Sequence, residues 1–431
     1  MRDFATSDSP AVQAQLDRLA QLSLPQGRLS LDLVRALLAR IGDPQHRLPP
    51  TFHVAGTNGK GSTCAFLRAM LEAAGHRVHV FTSPHLVRYN ERVRIAGELV
   101  SDAELAALLG EVLNASGGIG ASFFEVTTAA AFLAFARHPA DACVIEVGLG
   151  GRLDATNVIE APAVCGVASL GIDHEAFLLA PEDGTPAEPL ARIAFEKASI
   201  AKPGVPLVTQ AYPPGAAAEI VRTAARHGAA LERRGLEWDA LVGARIAYRD
   251  ASGKLDLPLP PLAGAHQADN AALAAAMIRH QVRIEVPAEA IAMGIAAAHW
   301  PARLQRLAQG PLTALAGNRA VWLDGGHNRD AGAAIAAHFA GHAPLHLIAG
   351  MLAGKDPAAI VAPLGDRVAS LRVVPIPGHA AHPAAAFGPR ASAASDVAAA
   401  LAQLPPEGDV LIAGSLYLAG EVLRLNRELP T

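Results

Sequence analysis

Short apolar runs alternate with longer segments of helical periodicity along most of the chain. Strands are predicted at the apolar runs TFHVAG, HRVHVFTS, DACVIEV and AVCGVASL. Helices are predicted between them, one from Gly61 to Ala74 that Gly75 closes, and one after Ser101, with Glu104 at the spacing of a capping box. The last two apolar runs are nearly continuous, which is typical of strands buried on both faces of a parallel sheet. The alternation therefore predicts an α/β fold of the doubly wound class.

This alternation is interrupted once and then restarts. The run RIAYRDASGKLDLPL predicts a hairpin that turns around Asp250 to Gly253, and AHQADNAALAAAMIRH predicts a helix. After AAAHWPARLQRL, new strands are predicted at AVWLDGG, PLHLIAG, SLRVVPI and DVLIAGS. The segments LLAPEDGTPAEPL and GHAAHPAAAFGPRA contain turn residues and little periodicity, so they are predicted to be loops. We therefore predict two domains, residues 1–299 and residues 300–431.

Length, charge and cysteine content narrow the class of protein. The 431 residues are enough for two domains with a buried core each. The formal net charge of −4 leaves no overall basic surface, so we expect no nucleic-acid partner. The three cysteines have no CxxC pair, which argues against a disulfide framework and a thiolate zinc site. Because no apolar stretch approaches about 18 residues, we expect a cytoplasmic protein that makes no membrane contact.

The stretch HVAGTNGKGSTCAFLRAML places a glycine-rich turn between a strand and a helix. Glycines at 56, 59 and 61 let backbone N–H groups turn inward, and the helix contributes its positive N-terminal end. Such a turn is shaped to hold phosphate oxygens, with Lys60 at the outer phosphates and Ser62 or Thr63 at Mg²⁺. The spacing departs from G-x-x-x-x-G-K-[ST], because Val54 stands at the first glycine position and a glycine follows the lysine. A structural turn with a surface lysine is the alternative interpretation.

Polar residues follow several of the other predicted strands. In an open α/β sheet, ligands bind beyond the carboxyl ends of the strands. The candidates at such positions, and on one later helix, are Ser83, His85, Glu146, Asp173, His174 and Lys197. A carboxylate buried at a strand end needs a charged partner, and Mg²⁺ with its waters would suit Glu146. Taken singly, each has an ordinary alternative: an arginine partner for Glu146, a satisfied side chain for His174 and a solvated one for Lys197.

Seven blocks of the sequence resemble, in order, the successive signatures of one family. They are HVAGTNGKGST, FTSPHLVRYNERVRI, FFEVTT, IEVGLGGRLDATNVI, IDHEAFL, IAFEKASIAKPGVP and LDGGHN. The family is that of folylpolyglutamate synthase and dihydrofolate synthase, within the Mur-ligase-like superfamily, and the resemblance runs from about Leu24 to GSLYLAGEVLRL. It implies an ATP- and pterin-binding, P-loop ATPase-like N-terminal domain with a mostly parallel sheet. A smaller Rossmann-like C-terminal ligase domain would follow, with the active site in the cleft between the domains.

The resemblance implies an ATP-dependent ligase that joins L-glutamate to a carboxylate. The acceptor would be dihydropteroate, (tetrahydro)folate or both, and we favour the bifunctional enzyme. ATP would convert the acceptor carboxylate to an acyl phosphate, which the amino group of L-glutamate then attacks. The implied cofactors are ATP and Mg²⁺, and a monovalent cation is an open addition. The implied partners are these small-molecule substrates, and we expect a monomer.

The resemblance also assigns roles to particular residues. Nucleotide contacts are implied for Gly56, Thr57, Asn58, Gly59, Lys60, Gly61, Ser62, Asn270, Arg303 and Asp324. Metal contacts, direct or through water, are implied for Ser62, Ser83, Glu146, His174 and an N6-carboxylated Lys197. Catalytic roles are implied for Lys60, His174, Lys197, Asp324 and His327, with Asn328 close to the phosphates. The pterin is expected along Ser122, Phe123, Phe124, Glu125, Leu153, Asp154 and Ala155. Taken alone, the Phe-Phe pair favours core packing.

Three departures from the family pattern bear on these roles. DGGHNR stands where the family commonly has D-G-A-H-N-P, which places Gly326 and Arg329 in that loop. SLPQGRL matches the pterin-holding D-L-G-L-x-R segment loosely, so only Arg28 is carried over. Residues 179–190 exceed the usual connection, and we expect them to decorate the surface rather than close over the substrate.

Two other functions stay open from the sequence. One is another Mur-ligase-like amino-acid ligase, such as a cell-wall ligase, which would need a UDP-sugar-binding domain before its phosphate loop. The segment before Gly56 is too short for one. The other is a non-catalytic nucleotide-binding protein, which would have no use for His174, Lys197 and Asp324 together.

Overall fold

The computed structural model describes residues 5–22, 30–341 and 344–431. These residues form two compact units. The first extends to Ser83 and continues through Arg88–Pro261 and Ala268–His299. The second comprises Pro84–Val87, Leu262–Gln267 and Trp300–Thr431, so it includes two short segments that a single boundary at residue 300 leaves out. The roles expected of residues 1–299 and 300–431 stay predictions.

An eight-stranded sheet forms the centre of the first unit. Its strands are β1 (Thr51–Ala55), β2 (Val78–Phe81), β3 (Val93–Ile95), β4 (Glu98–Leu99), β5 (Ala142–Glu146), β6 (Val164–Val167), β7 (Pro206–Thr209) and β8 (Ala230–Arg233). They lie in the order β4-β3-β2-β5-β1-β6-β7-β8. From β2 to β8 in this order, neighbours pair in parallel, whereas β3 and β4 add an antiparallel edge. Strands β1, β5 and β6 are buried along their whole length, as their apolar sequences predict.

Helices pack against this sheet in two hydrophobic clusters. The helices that lie in the first unit, entirely or for most of their length, are α1 (Pro10–Ala20), α2 (Asp32–Arg40), α3 (Lys60–Ala73), α4 (Asp102–Ala115), α5 (Phe123–Arg137), α6 (Glu175–Leu178), α7 (Pro189–Ala198), α8 (Pro214–His227), α9 (His266–His280) and α10 (Ala288–Ala297). One cluster joins α1, α2, α4 and α5 to β2 and β5. Another joins α7 and α8 to β6 and β7. The pairing register places the strand residues of both clusters on one face of the sheet. On the other face, Gly166 of β6 lies against α9, where a Cβ on Gly166 would come within 2.3 Å of the Met277 sulfur. Helices therefore cover both faces of the sheet, which explains its near-continuous apolar strands.

Local signals in the sequence fix the predicted helix ends. Helix α3 confirms the prediction from Gly61 to Ala74, and Gly75 beyond it takes a φ of +87°. Ser101 caps α4, since its side chain accepts a hydrogen bond from Glu104 N–H at 3.2 Å.

The predicted hairpin is part of a separate three-stranded antiparallel sheet. Its strands are β9 (Trp238–Val242), β10 (Ile246–Asp250) and β11 (Gly253–Leu257). Asp250, at the turn, is held by Arg279 of α9 through nitrogen–oxygen distances of 2.5 and 2.7 Å. This ion pair fixes the end of the hairpin to α9.

A six-stranded sheet forms the second unit. Its strands are β12 (Gln305–Arg306), β13 (Val321–Leu323), β14 (Leu345–Ala349), β15 (Val368–Val373), β16 (Ala391–Ala393) and β17 (Asp409–Ala413), in the order β12-β13-β17-β14-β15-β16. All pairs are parallel except β12 with β13. The remaining helices are α11 (Arg329–His338), α12 (Ala358–Leu364), α13 (Val397–Ala402) and α14 (Leu416–Asn426). Val410 and Ile412 join one hydrophobic cluster, and Leu411 and Ala413 join another, so β17 is buried on both faces.

Two further observations concern the class of protein. In the part of the chain that the structure describes, no helix combines the length and the apolar character needed to cross a bilayer. Cys64, Cys143 and Cys165 are all buried and free of disulfide bonds.

Candidate active site

The loop between β1 and α3 forms the first part of the site. Gly56 has a φ of +155° and Gly59 a φ of +84°. A Cβ on Gly56 would lie 2.9 Å from the Ala168 Cβ, and a Cβ on Gly59 would lie 2.4 Å from the Asn270 Oδ1. Helix α3 begins at Lys60, directly after the loop. The loop therefore has the bare backbone and the helix N-terminus suited to phosphate, and Asn270 lies against it.

Hydrogen bonds hold this loop against the segment that follows β6. Thr57 N–H donates to Ser169 O at 2.7 Å. The Thr57 hydroxyl lies 2.8 Å from Gly171 O, to which it donates, and it accepts a hydrogen bond from Gly171 N–H at 3.0 Å. The Ser169 hydroxyl donates to Asn58 O at 3.1 Å. These contacts order the loop backbone, a role of Thr57 that sequence reasoning missed.

Lys60 folds back over the loop. Its ammonium donates to Gly56 O at 3.0 Å and to Thr57 O at 3.3 Å. Ser62 and Thr63, in the first turns of the same helix, are buried. The cation and the hydroxyls predicted for phosphate and metal therefore all lie at the start of α3.

Glu146 ends β5, the strand next to β1. Its residue is 5% exposed, and its Oε2 accepts a hydrogen bond from Ser83 N–H at 3.1 Å. In the parallel register, Glu146 lies opposite Val54 of β1. Burial raises the pKa of the Cys64 thiol, the charge of Glu146 raises it further and that of Lys60 lowers it. Because both charges act on Cys64, Glu146 and Lys60 lie in one neighbourhood, as predicted from the strand ends.

Lys197 is a buried cation on α7. Burial lowers its pKa from 10.5 to about 7, the charge of Lys60 lowers it too, and nearby carboxylates, Asp173 and Asp154 first, oppose the change. Lys197 therefore lies in the electrostatic field of Lys60 and of two acids from neighbouring loops. A group with so perturbed a pKa, buried beside specific charges, is a candidate for a functional role.

His174 lies between β6 and α6, at the end of the segment that holds the phosphate loop. It has a φ of +54°, which is uncommon for a residue other than glycine. Its backbone N–H donates to Asp173 Oδ1 at 2.7 Å. The structure thus places His174 beyond the carboxyl end of β6, the strand that pairs with β1.

The residues from Ser122 to Glu125 form the start of α5. Ser122 N–H donates to Glu125 Oε2 at 2.7 Å, and Glu125 N–H donates to Ser122 Oγ at 3.4 Å, a complete capping box. Phe124 lies against Gly148, where a Cβ would come within 2.3 Å of the ring. Phe123 and Phe124 are partly buried against the cluster that contains α5. The polar groups here have a structural role, and pterin binding by this turn stays a prediction.

Asp154 organises the loop after β5. Its Oδ2 accepts from Leu149 N–H at 2.8 Å, and its Oδ1 accepts from the Thr156 N–H and hydroxyl at 3.0 and 2.5 Å. His53 Nε2 lies 2.9 Å from the same hydroxyl. Asp154, Thr156 and His53 are buried, as is Ala155. This buried series of hydrogen bonds was not predicted, although a histidine inside the apolar run of β1 was a visible signal.

His53 should make folding stability depend on pH. Burial, with the charge of Lys202, lowers its pKa from 6.5 to about 3. The unfolded chain therefore takes up a proton on His53 below pH 6.5, which the folded protein accepts only near pH 3. The free energy of unfolding should thus decrease as pH falls through this window, by up to about 1.4 kcal/mol per pH unit.

Chemical denaturation between pH 7 and pH 4 measures this dependence. The variant His53→Gln should show a flatter dependence than the wild type, whereas His299→Gln, at an exposed position, should match it. Equal slopes for the wild type and His53→Gln would contradict the prediction.

The second unit contains its own group of predicted residues at the end of β13. Asp324 Oδ2 accepts a hydrogen bond from Leu304 N–H at 2.8 Å, and its Oδ1 accepts one from Gly326 N–H at 2.6 Å. His327 contacts its own loop through Gly325 O at 3.0 Å. Asn328 caps α11 with its side-chain oxygen. The structure brings these predicted residues together in one loop.

Arg303 lies beside this loop in a strained segment. Its neighbours Ala302 and Leu304 have φ values of +55° and +46°. Such strain in residues other than glycine often occurs at functional sites. Arg329 is the first residue of α11, a position that proline also favours, so this departure from the family pattern leaves the helix start intact.

A cavity of about 540 Å³ lies between residues 149–153 and residues 176–183. Its charged lining includes Arg152, Glu182, Arg192 and Glu196, which we call the Arg–Glu cluster, and also Asp183. Arg192 and Glu196 stand four residues apart on α7, the spacing of a helical ion pair. Sequence reasoning missed the cluster, although this spacing was available as a signal. Leu153, predicted to contact the pterin, lines the same cavity.

The segment SLPQGRL, with Arg28, lies outside the described residues. Within residues 5–22, 30–341 and 344–431, no three His, Cys, Asp or Glu side chains form a metal-binding group. The expected metal set has only two such residues, Glu146 and His174, so it also depends on serine hydroxyls and on a modified Lys197.

Known proteins resemble this chain along nearly its whole length, although no family model matches it. The folylpolyglutamate synthase of Lacticaseibacillus casei is 33% identical over 413 residues, covering 90% of this chain and 92% of that protein. The structure of E. coli FolC in complex with DHPP and ADP has 34% identity, a TM-score of 0.84 and 97% coverage of both chains. The bifunctional folylpolyglutamate synthase/dihydrofolate synthase of Yersinia pestis, complexed with AMPPNP and Mn ion, has 31% identity, a TM-score of 0.82, and coverage of 98% of this chain and 99% of that one.

The fold and the loop at β1 define a nucleotide-binding α/β protein of the Mur-ligase-like class. The similarity over most of both chains then settles the family. The chain belongs to the folylpolyglutamate synthase/dihydrofolate synthase family, and the resemblance and the fold class predicted from the sequence are confirmed.

Proposed function

We propose that the chain is an ATP-dependent carboxylate–amine ligase that adds L-glutamate to dihydropteroate and to reduced folate. One observation carries the proposal: a phosphate-shaped loop covered by Lys60 lies beside the buried Glu146, on adjacent parallel strands. This arrangement provides a backbone cradle, a cation and an anion at one edge of the sheet. The names of the relatives support the class of acceptor.

The reaction has two bond exchanges. An oxygen of the acceptor carboxylate attacks the γ-phosphorus of ATP, and the bond to ADP breaks, giving an acyl phosphate. The amine of L-glutamate then attacks the carbonyl carbon, the bond to phosphate breaks, and the nitrogen loses a proton as the amide forms. No protein nucleophile is required. The chain contributes positioning and charge neutralisation, through the loop N–H groups and Lys60.

The residues present fit a divalent cation such as Mg²⁺. Mg²⁺ prefers oxygen ligands. Glu146, at the end of β5, supplies a buried carboxylate, and Ser62, in the first turn of α3, supplies a buried hydroxyl. We assign Ser62, Ser83, Glu146, His174 and Lys197 to metal binding, directly or through water. When bound, the cation neutralises charge on the phosphate oxygens. A monovalent cation is a further part of the proposal, supported by the resemblance alone.

Lys197 is proposed to carry an N6-carboxyl group. The neutral amine attacks the carbon of CO₂, and the nitrogen loses a proton to give a carbamate. Because burial lowers the pKa of Lys197 to about 7, the neutral amine that acts as the nucleophile is available at neutral pH. The product is an anion, so the modification also replaces the repulsion between Lys197 and Lys60 with attraction.

The variant Lys197→Ala is expected to lose activity by about 100-fold, because the site loses one anionic group. Acetate or propionate should restore part of the rate by filling the space of the carbamate. Lys254→Ala, at an exposed position of the hairpin, serves as the control. Steady-state rates measure the loss of activity and its rescue, and the intact mass of the protein after bicarbonate treatment measures the carboxylation of Lys197. Full activity of Lys197→Ala would exclude an essential carbamate.

The remaining assignments follow the motif matches. Asn270, Arg303 and Asp324 are assigned to ATP, and His327 and Asn328 to the region of the phosphates. The position of Asn270 against Gly59 supports its assignment. The turns at Ser122–Glu125 and Leu153–Ala155 are assigned to the pterin. We further propose that residues 1–299 bind ATP and pterin, and that residues 300–431 form the ligase domain. A monomer in a reducing cytoplasm is also proposed; the buried free cysteines are consistent with that compartment.

Phosphate release tests the proposed function. Purified protein with ATP, Mg²⁺ and L-glutamate should release phosphate with dihydropteroate and with tetrahydrofolate, and only at background level without an acceptor. Binding of ATP with no release for either acceptor would favour a non-catalytic protein. Turnover of a UDP-muramoyl substrate in place of the pterins would favour a cell-wall ligase.

A further inference from the structure

We infer that Arg152 and Arg192 form a subsite for a free carboxylate of glutamate, and that Glu182 occupies this subsite in the structure as an internal competitor. The inference rests on the proposed function. It assigns a substrate class to the Arg–Glu cluster, and it gives residues 179–190 a role in choosing between acceptors.

Glu182 binds both arginines as a substrate carboxylate would. Its oxygens lie 3.0 and 2.5 Å from the two terminal nitrogens of Arg152, and one lies 2.9 Å from Arg192. Paired parallel hydrogen bonds of this kind are the usual way in which arginine recognises a carboxylate. The side chains of Arg152 and Glu182 are 23% and 13% exposed, and that of Arg192 is 5% exposed. The two arginines therefore form a carboxylate site in which Arg192 is buried and Arg152 is partly exposed.

Glu196 balances the second positive charge and belongs to the fixed part of the site. It lies 3.0 Å from Arg152 and 3.1 Å from Arg192, within the rigid helix α7. The backbone N–H of Arg152 also donates to the backbone carbonyl oxygen of Glu196 at 2.8 Å. Glu182, in contrast, is carried by a connection without helix or strand. An incoming carboxylate that replaced Glu182 would keep two anions on two cations, so no buried charge would be left uncompensated.

The adjoining cavity gives a ligand room to approach. Its volume of about 540 Å³ falls in the range of small-molecule sites. Leu149, Leu153 and Phe177 contribute apolar wall next to the arginines. Leu153 directly precedes Asp154, in the turn assigned to the pterin, and Glu196 directly precedes Lys197 on α7. The cavity lining therefore includes the immediate chain neighbours of residues assigned to the pterin site and to the metal site.

The two acceptors differ in the group that this subsite recognises. Dihydropteroate has one carboxylate, and that carboxylate reacts. Tetrahydrofolate ends in a glutamate with two carboxylates, so one stays free while the other reacts. A subsite for a free carboxylate therefore acts on the folate reaction and leaves the dihydropteroate reaction unaffected. Glu182, by competing for that subsite, should weaken tetrahydrofolate binding selectively.

The variant Glu182→Gln tests the inference, with Asp183→Asn as the matched control. Asp183 is the next residue in the chain, is exposed and also lines the cavity, but it forms no ion pair with Arg152 or Arg192. Its change therefore removes the same charge from the cavity wall while both arginines keep their partners. In Glu182→Gln the KM for tetrahydrofolate should fall about fivefold or more, because the competent state becomes more populated. The KM for dihydropteroate should stay within about twofold of the wild type, and Asp183→Asn should change neither.

A second measurement distinguishes the two sources of the carboxylate. If the subsite binds the tail of the acceptor, the KM for L-glutamate stays constant in Glu182→Gln. If it binds the incoming amino acid, the KM for L-glutamate falls with both acceptors, and the role of residues 179–190 in choosing between acceptors is overturned. Three results would overturn the inference. They are an unchanged KM for all three substrates, a rise in the KM for tetrahydrofolate, and an equal change in the KM values for tetrahydrofolate and dihydropteroate. Absence of turnover in the wild type with either acceptor would instead refute the proposed function.

Discussion

Replacing Lys60 with methionine is expected to reduce ligation by about 1,000-fold with either acceptor, while the fold stays intact. Lys60 supplies the cation that lies over the phosphate loop, 3.0 Å from Gly56 O. Methionine keeps much of the side-chain length but removes the charge that stabilises the transferring phosphoryl group. The loss should appear mainly in kcat, because the negative charge that Lys60 stabilises develops on the phosphoryl group in the transition state.

The control for this change is Lys254→Met, which alters an exposed lysine in the hairpin of β10 and β11. It should retain the rate of the wild type. Circular dichroism and thermal unfolding should show that both variants are folded. Near-normal turnover of Lys60→Met would refute the assignment of the loop to ATP.

The variant Glu146→Gln is expected to reduce the rate by about 100-fold or more, and to raise the Mg²⁺ concentration needed for half-maximal activity. Glutamine matches the shape of glutamate, and its amide oxygen still accepts the hydrogen bond from Ser83 N–H, which is 3.1 Å long in the structure. The variant therefore isolates the negative charge from the packing. The same change at Glu111, which forms an exposed ion pair with Arg137, should leave the Mg²⁺ dependence unchanged.

A Glu146→Gln protein with normal rate and normal Mg²⁺ dependence would show that Glu146 is a structural residue. Its buried carboxylate would then be satisfied by its hydrogen bonds alone.

The sequence was sufficient for the central strands, because burial on both faces makes them continuous apolar runs. TFHVAG and DACVIEV became β1 and β5, fully buried and paired in parallel. Edge strands were harder to predict. Strands β3 and β4 are short, partly exposed and rich in Arg and Glu, so they depend on pairing with β2 rather than on a local pattern. The strand predicted at SLRVVPI lies instead at Val368–Val373, because its pairing with β14 begins earlier in the chain.

Some parts of the candidate site were likewise predictable from the sequence, and others were not. The phosphate loop was visible because its glycines and lysine are adjacent in sequence, and the structure shows why glycine is needed at positions 56 and 59. The Arg–Glu cluster was not found, because its side chains come from three segments that only the fold brings together. Ser122 and Glu125 were predicted to contact substrate, and the structure shows that their polar groups also close the start of α5. A local motif therefore does not distinguish a helix cap from a binding turn.

The most direct test of the account follows the oxygen atoms of the acceptor. Dihydropteroate labelled with ¹⁸O in its carboxylate is incubated with the protein, ATP, Mg²⁺ and L-glutamate, and the released phosphate is analysed by mass spectrometry. Activation as an acyl phosphate predicts one labelled oxygen in each phosphate that accompanies a new amide bond. Unlabelled phosphate would show that ATP is hydrolysed by water, and it would contradict the claim that this site activates a carboxylate.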